Sequence, residues 1–356
     1  MTGISNTFWS GKRVFVTGHT GFKGAWLILW LRELGARTGA VSLAPSTEPN
    51  LHGLLFGQAP ADEICDIRDA RTLVQRMQAF EPEIVIHMAA QPLVRASYLR
   101  PQETFETNVM GTANVLQAIR ETASVRVGVI VTTDKVYENN GEGRPFIETD
   151  RLGGHDPYSN SKACAELVTQ SYRDSYFSTA GATAIATARA GNVIGGGDWS
   201  EDRLVPDLVR AMIAGQPVEL RYPASVRPWQ HVLDPLSGYL RLAERLFIDP
   251  ATAPKAVNFG PDPDGFVTVS ALVEQLDGAL DGRGWRQAPG DHPKEATVLT
   301  LATALAKESL LWQPGLDVTQ TIGWTADWYR AWHAGADMRA FTLSQINTYR
   351  QRTART

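Results

Sequence analysis

The chain has 356 residues, 43% apolar and 20% charged, with a formal net charge of −4. That length exceeds one average domain, and the balance of residues is that of a globular protein without a general nucleic-acid footprint. Two cysteines, Cys65 and Cys164, exclude a disulfide framework or a thiolate metal site and point to a reducing cytoplasm.

The N-terminal residues 1–13 carry no basic stretch followed by an apolar one, and the longest apolar run, 25–31, is far short of a membrane span. Val14-Phe15-Val16 reads as a first strand and leads into Gly18-His19-Thr20-Gly21-Phe22-Lys23-Gly24, after which 25–34 reads as a helix stopped by Gly35. Further strands are expected at 40–43, 63–65, 84–88 and 127–131, with helices at 69–80, 104–120, 158–176 and 321–334. Strands that alternate with helices in this way predict an α/β fold: a doubly wound, mostly parallel Rossmann sheet with a smaller C-terminal substrate-binding lobe. We expect residues 1–190, with a return near 229–258, to form the dinucleotide-binding part. The smaller lobe is expected from 191–228 and 259–345, where Gly and Pro punctuate the chain, with 346–356 as a tail.

The spacing of Gly18, Gly21 and Gly24 between a strand and a helix suits a backbone that turns tightly under a pyrophosphate. The end of the second strand, Ser42-Leu43-Ala44, has neither the acid that would bind an adenosine ribose nor an evident arginine for a 2′-phosphate. The residues therefore leave NAD and NADP both open. Asp66 is placed to accept from an adenine amino group, and Asp69 reads as a helix cap.

Tyr158 and Lys162 are four apart and share one helix face. A nearby ammonium favours the phenolate and lets a tyrosine act as a base. Asp134 and Lys135 lie just past the 127–131 strand, at the sheet edge where ligands bind in open α/β folds. Elimination of water from a sugar needs an acid for the departing hydroxyl and a base for the proton beside a transient ketone; a buried Asp134 and a Lys135 depressed by burial and by Lys162 suit those tasks. Arg189 and Arg227 stand beside turn residues and suit a diphosphate. The seven histidines, His19, His52, His87, His155, His231, His292 and His333, show no metal-ligand spacing, so no metal site is expected.

These motifs, together with His87-Met88-Ala89-Ala90-Gln91-Pro92-Leu93-Val94-Arg95, Tyr158-Ser159-Asn160-Ser161-Lys162 and Arg227-Pro228-Trp229-Gln230-His231-Val232, resemble the extended short-chain dehydrogenase/reductase family and its sugar-nucleotide dehydratase/epimerase group. The resemblance implies tightly bound NAD, regenerated at each turnover. It implies Thr133, Asp134, Lys135, Tyr158 and Lys162 as catalytic residues. Cofactor contacts are implied for Gly18, Thr20, Gly21, Phe22, Lys23, Gly24, Asp66, Ile67, Ala89, Ala90, Gln91, Asn108, Thr132, Tyr158, Lys162 and Arg189. Substrate contacts are implied for Arg95, Asn192, Arg203, Arg227 and His231. Epimerases of this group carry small residues where this chain has Asp134-Lys135, and dTDP-sugar dehydratases carry Asp-Glu. Lys135 thus points to dehydration of a cytidine-diphosphate hexose in deoxysugar biosynthesis. Other dehydratases or a 4-epimerase of the same fold are the alternatives, and a non-catalytic dinucleotide module is the alternative of a different class. A homo-oligomer, dimer or tetramer, with neither nucleic-acid nor membrane partners, is also implied.

Overall fold

The computed structural model describes residues 3–141, 143–179, 181–290 and 299–354. Six parallel strands make the central sheet. In chain order the strands are β1 (Arg13–Thr17), β2 (Arg37–Val41), β3 (Ile84–His87), β4 (Val127–Val131), β5 (Ala184–Ala190), β6 (Val193–Ile194), β7 (Val218–Leu220), β8 (Val226–Pro228), β9 (Gln230–His231), β10 (Ala256–Phe259), β11 (Phe266–Thr268) and β12 (Trp285–Gln287). The sheet runs β10-β5-β4-β3-β1-β2, so the strand order reverses at β1, between β3 and β2. Such a reversal opens a crevice at the carboxyl ends of the strands. Strands β3 and β4 are buried along their whole length, which explains their near-continuous apolar sequences.

The helix Phe22–Glu33 is buried from Gly24 to Leu31. A helix that is apolar on every side belongs inside the molecule, and helices Leu233–Ile248 and Met338–Thr353 pack over it. Trp30 meets Tyr349 edge to face at 5.7 Å. Residues 346–353 are therefore no tail, because Ile346 and Tyr349 are wholly buried in that last helix. None of the helices among the described residues is long and apolar enough to cross a membrane.

Two expected elements differ. Residues 63–65 form no strand of the sheet: a 3₁₀ turn, Ala61–Glu63, leads into a single bridge between Ser42 and Ile64. The helix expected over 104–120 is interrupted by a π turn, Glu106–Met110, between helices Pro101–Phe105 and Gly111–Glu121. The Asn108 side chain in that turn holds both the N–H and the carbonyl of Gln91, and such turns serve to aim a side chain. The remaining short strands pair as β6 with β9, β7 with β12 and β8 with β11.

Candidate active site

Gly18 adopts φ +81°, and a Cβ there would lie 2.7 Å from the Ala89 nitrogen. The turn after β1 and the loop after β3 are thus pressed together. Thr17 Oγ1 fastens them by accepting from the backbone N–H groups of Met88 and Ala89 at 3.1 and 3.2 Å. Gly21 caps the helix Phe22–Glu33 with no side chain over its N-terminus. Open backbone at a helix N-terminus beside a compact loop fits a dinucleotide pyrophosphate.

Beyond β4, Thr133 caps the 3₁₀ turn Asp134–Val136. Its hydroxyl donates to Asp134 Oδ1 at 2.8 Å, and Asn192 Nδ2 donates to Oδ2 at 3.3 Å. Asp134 is buried, with Lys135 half-buried beside it. A Cβ at Gly191 would fall 2.0 Å from the Asp134 carboxyl carbon, so only glycine lets the strand β5 end approach this acid.

The helix Pro157–Tyr176 begins with Pro157 at its first position and the Asp156 carboxylate accepting from the Ser159 N–H. That cap sets Tyr158 and Lys162 one turn apart, facing the Asp134 turn. Tyr158 is also hydrogen-bonded to Thr133, and its phenol is pushed up to about 12, chiefly by burial. Burial outweighs the Thr133 hydrogen bond and the Arg203 charge, so the expected lowering of the phenol by the nearby Lys162 ammonium is not what sets this group. Lys162 donates to the Val131 carbonyl at 3.3 Å, and burial lowers its pKa to about 8 against the opposing pull of Glu166.

A cavity of about 1800 Å³ opens over these groups. Its lining includes Phe22, Lys23, Ala90, Arg95, Thr132, Thr133, Asp134, Lys135, Tyr158, Lys162, Asn192, Arg203 and Arg227. Lys23 is lowered to about 7 by burial, then by Arg203 and Lys162, and its ammonium reaches the Tyr239 hydroxyl at 3.3 Å. Arg221, Tyr222 and Arg286 also line the cavity and were not anticipated. The sequence offers no local pattern that marks them: Arg221 and Tyr222 follow the short mixed stretch 216–220, and Arg286 stands alone between Trp285 and Gln287. In a chain of net charge −4, eight Lys and Arg side chains line this crevice against six carboxylates, Asp134, Asp156, Asp198, Asp202, Asp207 and Glu219, an excess of basic groups that suits a diphosphate ligand.

Other expected residues have different places. Arg189 does not face the cavity: its fork pairs with Glu166 at 2.8 and 2.9 Å, and its remaining nitrogen serves Tyr137 and the Glu148 carbonyl. All its directions are taken, so it braces β5 against the helix and is not available to a diphosphate. His231 is fully buried between Trp26 and Trp324 and is lowered to about 3 by burial, so it is a neutral packing residue away from the cavity. Asp66 is held by Arg68, and Ile67 packs beneath Gly111. Thr20 donates to the Leu43 carbonyl and touches Ser42, closing the end of β2 that lacks an acid. Thr132 donates to Glu166, while Asn108 bridges Gln91 and Ser161 and so locks the loop after β3 to the Tyr158 helix. His292 lies outside the described residues.

A doubly wound parallel sheet with a glycine turn, a Tyr-Lys helix and a cationic crevice at its switch point defines a nucleotide-sugar-modifying Rossmann enzyme. The chain belongs to the NAD dependent epimerase/dehydratase family, whose model matches residues 14–260. It is 44% identical to the CDP-glucose 4,6-dehydratase of Salmonella typhimurium, over 99% of this chain and 100% of that one. It is 26% identical to a dTDP-glucose 4,6-dehydratase of Xanthomonas campestris pv. campestris, over 93% and 97% of the two chains. The fold matches an epimerase from Methanothermobacter thermautotrophicus with a TM-score of 0.79 at 22% identity, covering 92% of this chain and 95% of that one.

Proposed function

We propose that this chain is a lyase that converts CDP-D-glucose to CDP-4-keto-6-deoxy-D-glucose and water, using NAD with no net redox change. The observation that carries the reading is Asp134 and Lys135 in one turn beside Thr133 and Tyr158. Oxidation at C4 needs only a base and a hydride acceptor, whereas loss of water needs an additional acid and base. The 44% identity to a CDP-glucose dehydratase along the full chain supports the same choice.

In this scheme Tyr158 Oη takes the proton of the sugar C4 hydroxyl, with Thr133 holding the phenol and linking it to Asp134. Bound NAD would supply the positive ring that favours the phenolate and the carbon that takes hydride from C4 and returns it to C6. Lys162 holds the cofactor ribose. Lys135 Nζ removes the C5 proton made acidic by the C4 ketone and returns it to C5 when C6 is reduced, and Asp134 gives a proton to the C6 hydroxyl as it leaves as water, a loss made good by the proton that Tyr158 took from the C4 hydroxyl. Lys23 and the open N-terminus of helix Phe22–Glu33 bind the cofactor diphosphate, and Arg95, Arg203 and Arg227 bind the substrate diphosphate and its nucleoside.

We place the enzyme in the cytoplasm as a homo-oligomer. Leu99 and Leu167 are exposed on the neighbouring helices Val94–Leu99 and Pro157–Tyr176 and offer apolar surface for pairing. The reaction is tested by supplying CDP-, dTDP-, GDP- and UDP-hexoses with NAD and following product mass. The CDP-hexose should lose one water while no reduced cofactor accumulates. An unchanged mass with inverted C4 would make the enzyme an epimerase, and accumulating NADH would make it a net dehydrogenase.

A further inference from the structure

Three side chains outside the reaction scheme meet behind the glycine turn. His19 follows Gly18, His52 lies in the short helix Leu51–Phe56, and Glu63 ends the 3₁₀ turn Ala61–Glu63. The two histidines are 1% and 4% exposed. One ligand atom from each of the three residues lies within 4.8 Å of the other two. His19 Nε2 stands 3.0 Å from Glu63 Oε2, and the two rings meet edge to face at 5.2 Å. None of the three lines the large cavity.

Ordinary packing leaves part of this cluster unexplained. Neither His19 Nδ1 nor His52 Nδ1 has a hydrogen-bond partner among the described residues, whereas buried polar atoms are ordinarily paired.

We propose that His19, His52 and Glu63 form a site for a divalent transition-metal ion of the Zn²⁺ class, which fastens the glycine turn to the helix Leu51–Phe56 and to the segment ending at Glu63. Two nitrogens and one carboxylate oxygen suit zinc and its neighbours in the first transition row rather than magnesium or calcium, which take oxygen ligands. Arg32 faces the same cluster, so the ion would be held by its ligand bonds rather than by net negative charge. Tetrahedral zinc with bonds of about 2.0–2.1 Å spaces its ligands roughly 3.3 Å apart, a closure within reach of side-chain rotation. Three protein ligands leave a fourth position for water. The Glu63 carbonyl accepts from the Ser42 N–H at 3.0 Å, so the ion would also brace the end of β2.

Zn²⁺ titrated into the whole protein with its cofactor, in competition with a chromophoric chelator, tests the site independently of the reaction. One equivalent per chain should bind, with anomalous density at the zinc edge among the three residues and a higher melting temperature. His52→Phe and Glu63→Gln, each checked for fold by circular dichroism, should each weaken that equivalent by at least about tenfold and remove the thermal shift. Absence of a stoichiometric equivalent, or an equivalent bound as tightly by both folded variants, overturns the proposal. Retention by both would place the zinc on other groups.

Discussion

At the scale of single residues, the separation of oxidation from water loss is the sharpest consequence of the site. Lys135→Ala should depress 4,6-dehydration by about 10²–10⁴-fold. It should still show reduced-cofactor absorbance when CDP-glucose is added, because Tyr158 and Lys162 are untouched; full turnover would remove Lys135 as the base. Tyr158→Phe should abolish that absorbance change as well, as stopped-flow absorbance would reveal. The polar character and spacing of Asp134, Lys135, Tyr158 and Lys162 were readable in the sequence because local rules govern them: a strand end, a capped helix and an i, i+4 pair. Arg189 and His231 were not readable in the same way. What decides their roles is the partner each meets in space, Glu166 for one and two tryptophans for the other, and no local pattern encodes those partners.

Among elements, the buried Arg189–Glu166 pair ties β5 to the helix that carries Tyr158, with Thr132 and Thr187 completing the carboxylate's shell. Glu166→Ala leaves a buried guanidinium without its counter-ion and should cost about 3–5 kcal/mol, measured by denaturant unfolding. A second junction joins helix Leu233–Ile248 to the last helix: Asp234 accepts from the Gly315 N–H at 2.6 Å and from the Tyr349 hydroxyl at 2.8 Å. Burial raises this carboxyl to about 7, so the folded state holds a proton that the unfolded state releases near its ordinary value of 3.8. Its contribution to stability is full below that value and is lost as pH rises through about 7. Asp234→Asn should flatten this part of the stability-against-pH curve, and an unaltered slope would assign it to other groups. The continuous apolar runs of β3 and β4 were plain in the sequence, whereas residues 63–65 looked like a strand but found only one bridge. The π turn at Glu106–Met110 was hidden because Asn108, held by Gln91 and Ser161, overrides a good helical pattern.

Across the whole molecule, the fold gathers basic groups around one crevice from the helices between the sheet strands, which carry Lys23 and Lys162, and from the short strand pairs, which carry Arg227 and Arg286. The general α/β plan followed from alternating patterns, but the closing strands β6–β9, β11 and β12 are two or three residues long and leave no periodic trace. The exposed Leu99 and Leu167 lead to a further expectation: Leu167→Glu should shift the mass seen by light scattering toward the monomer, and an unchanged mass would move the pairing surface elsewhere. The central claim, that one site oxidises, dehydrates and reduces the same sugar, is tested most directly with CDP-glucose deuterated at C4 in ordinary water. Mass spectrometry and NMR should find the deuterium at C6 of the 4-keto-6-deoxy product; deuterium kept at C4, or absent from C6, would contradict the account.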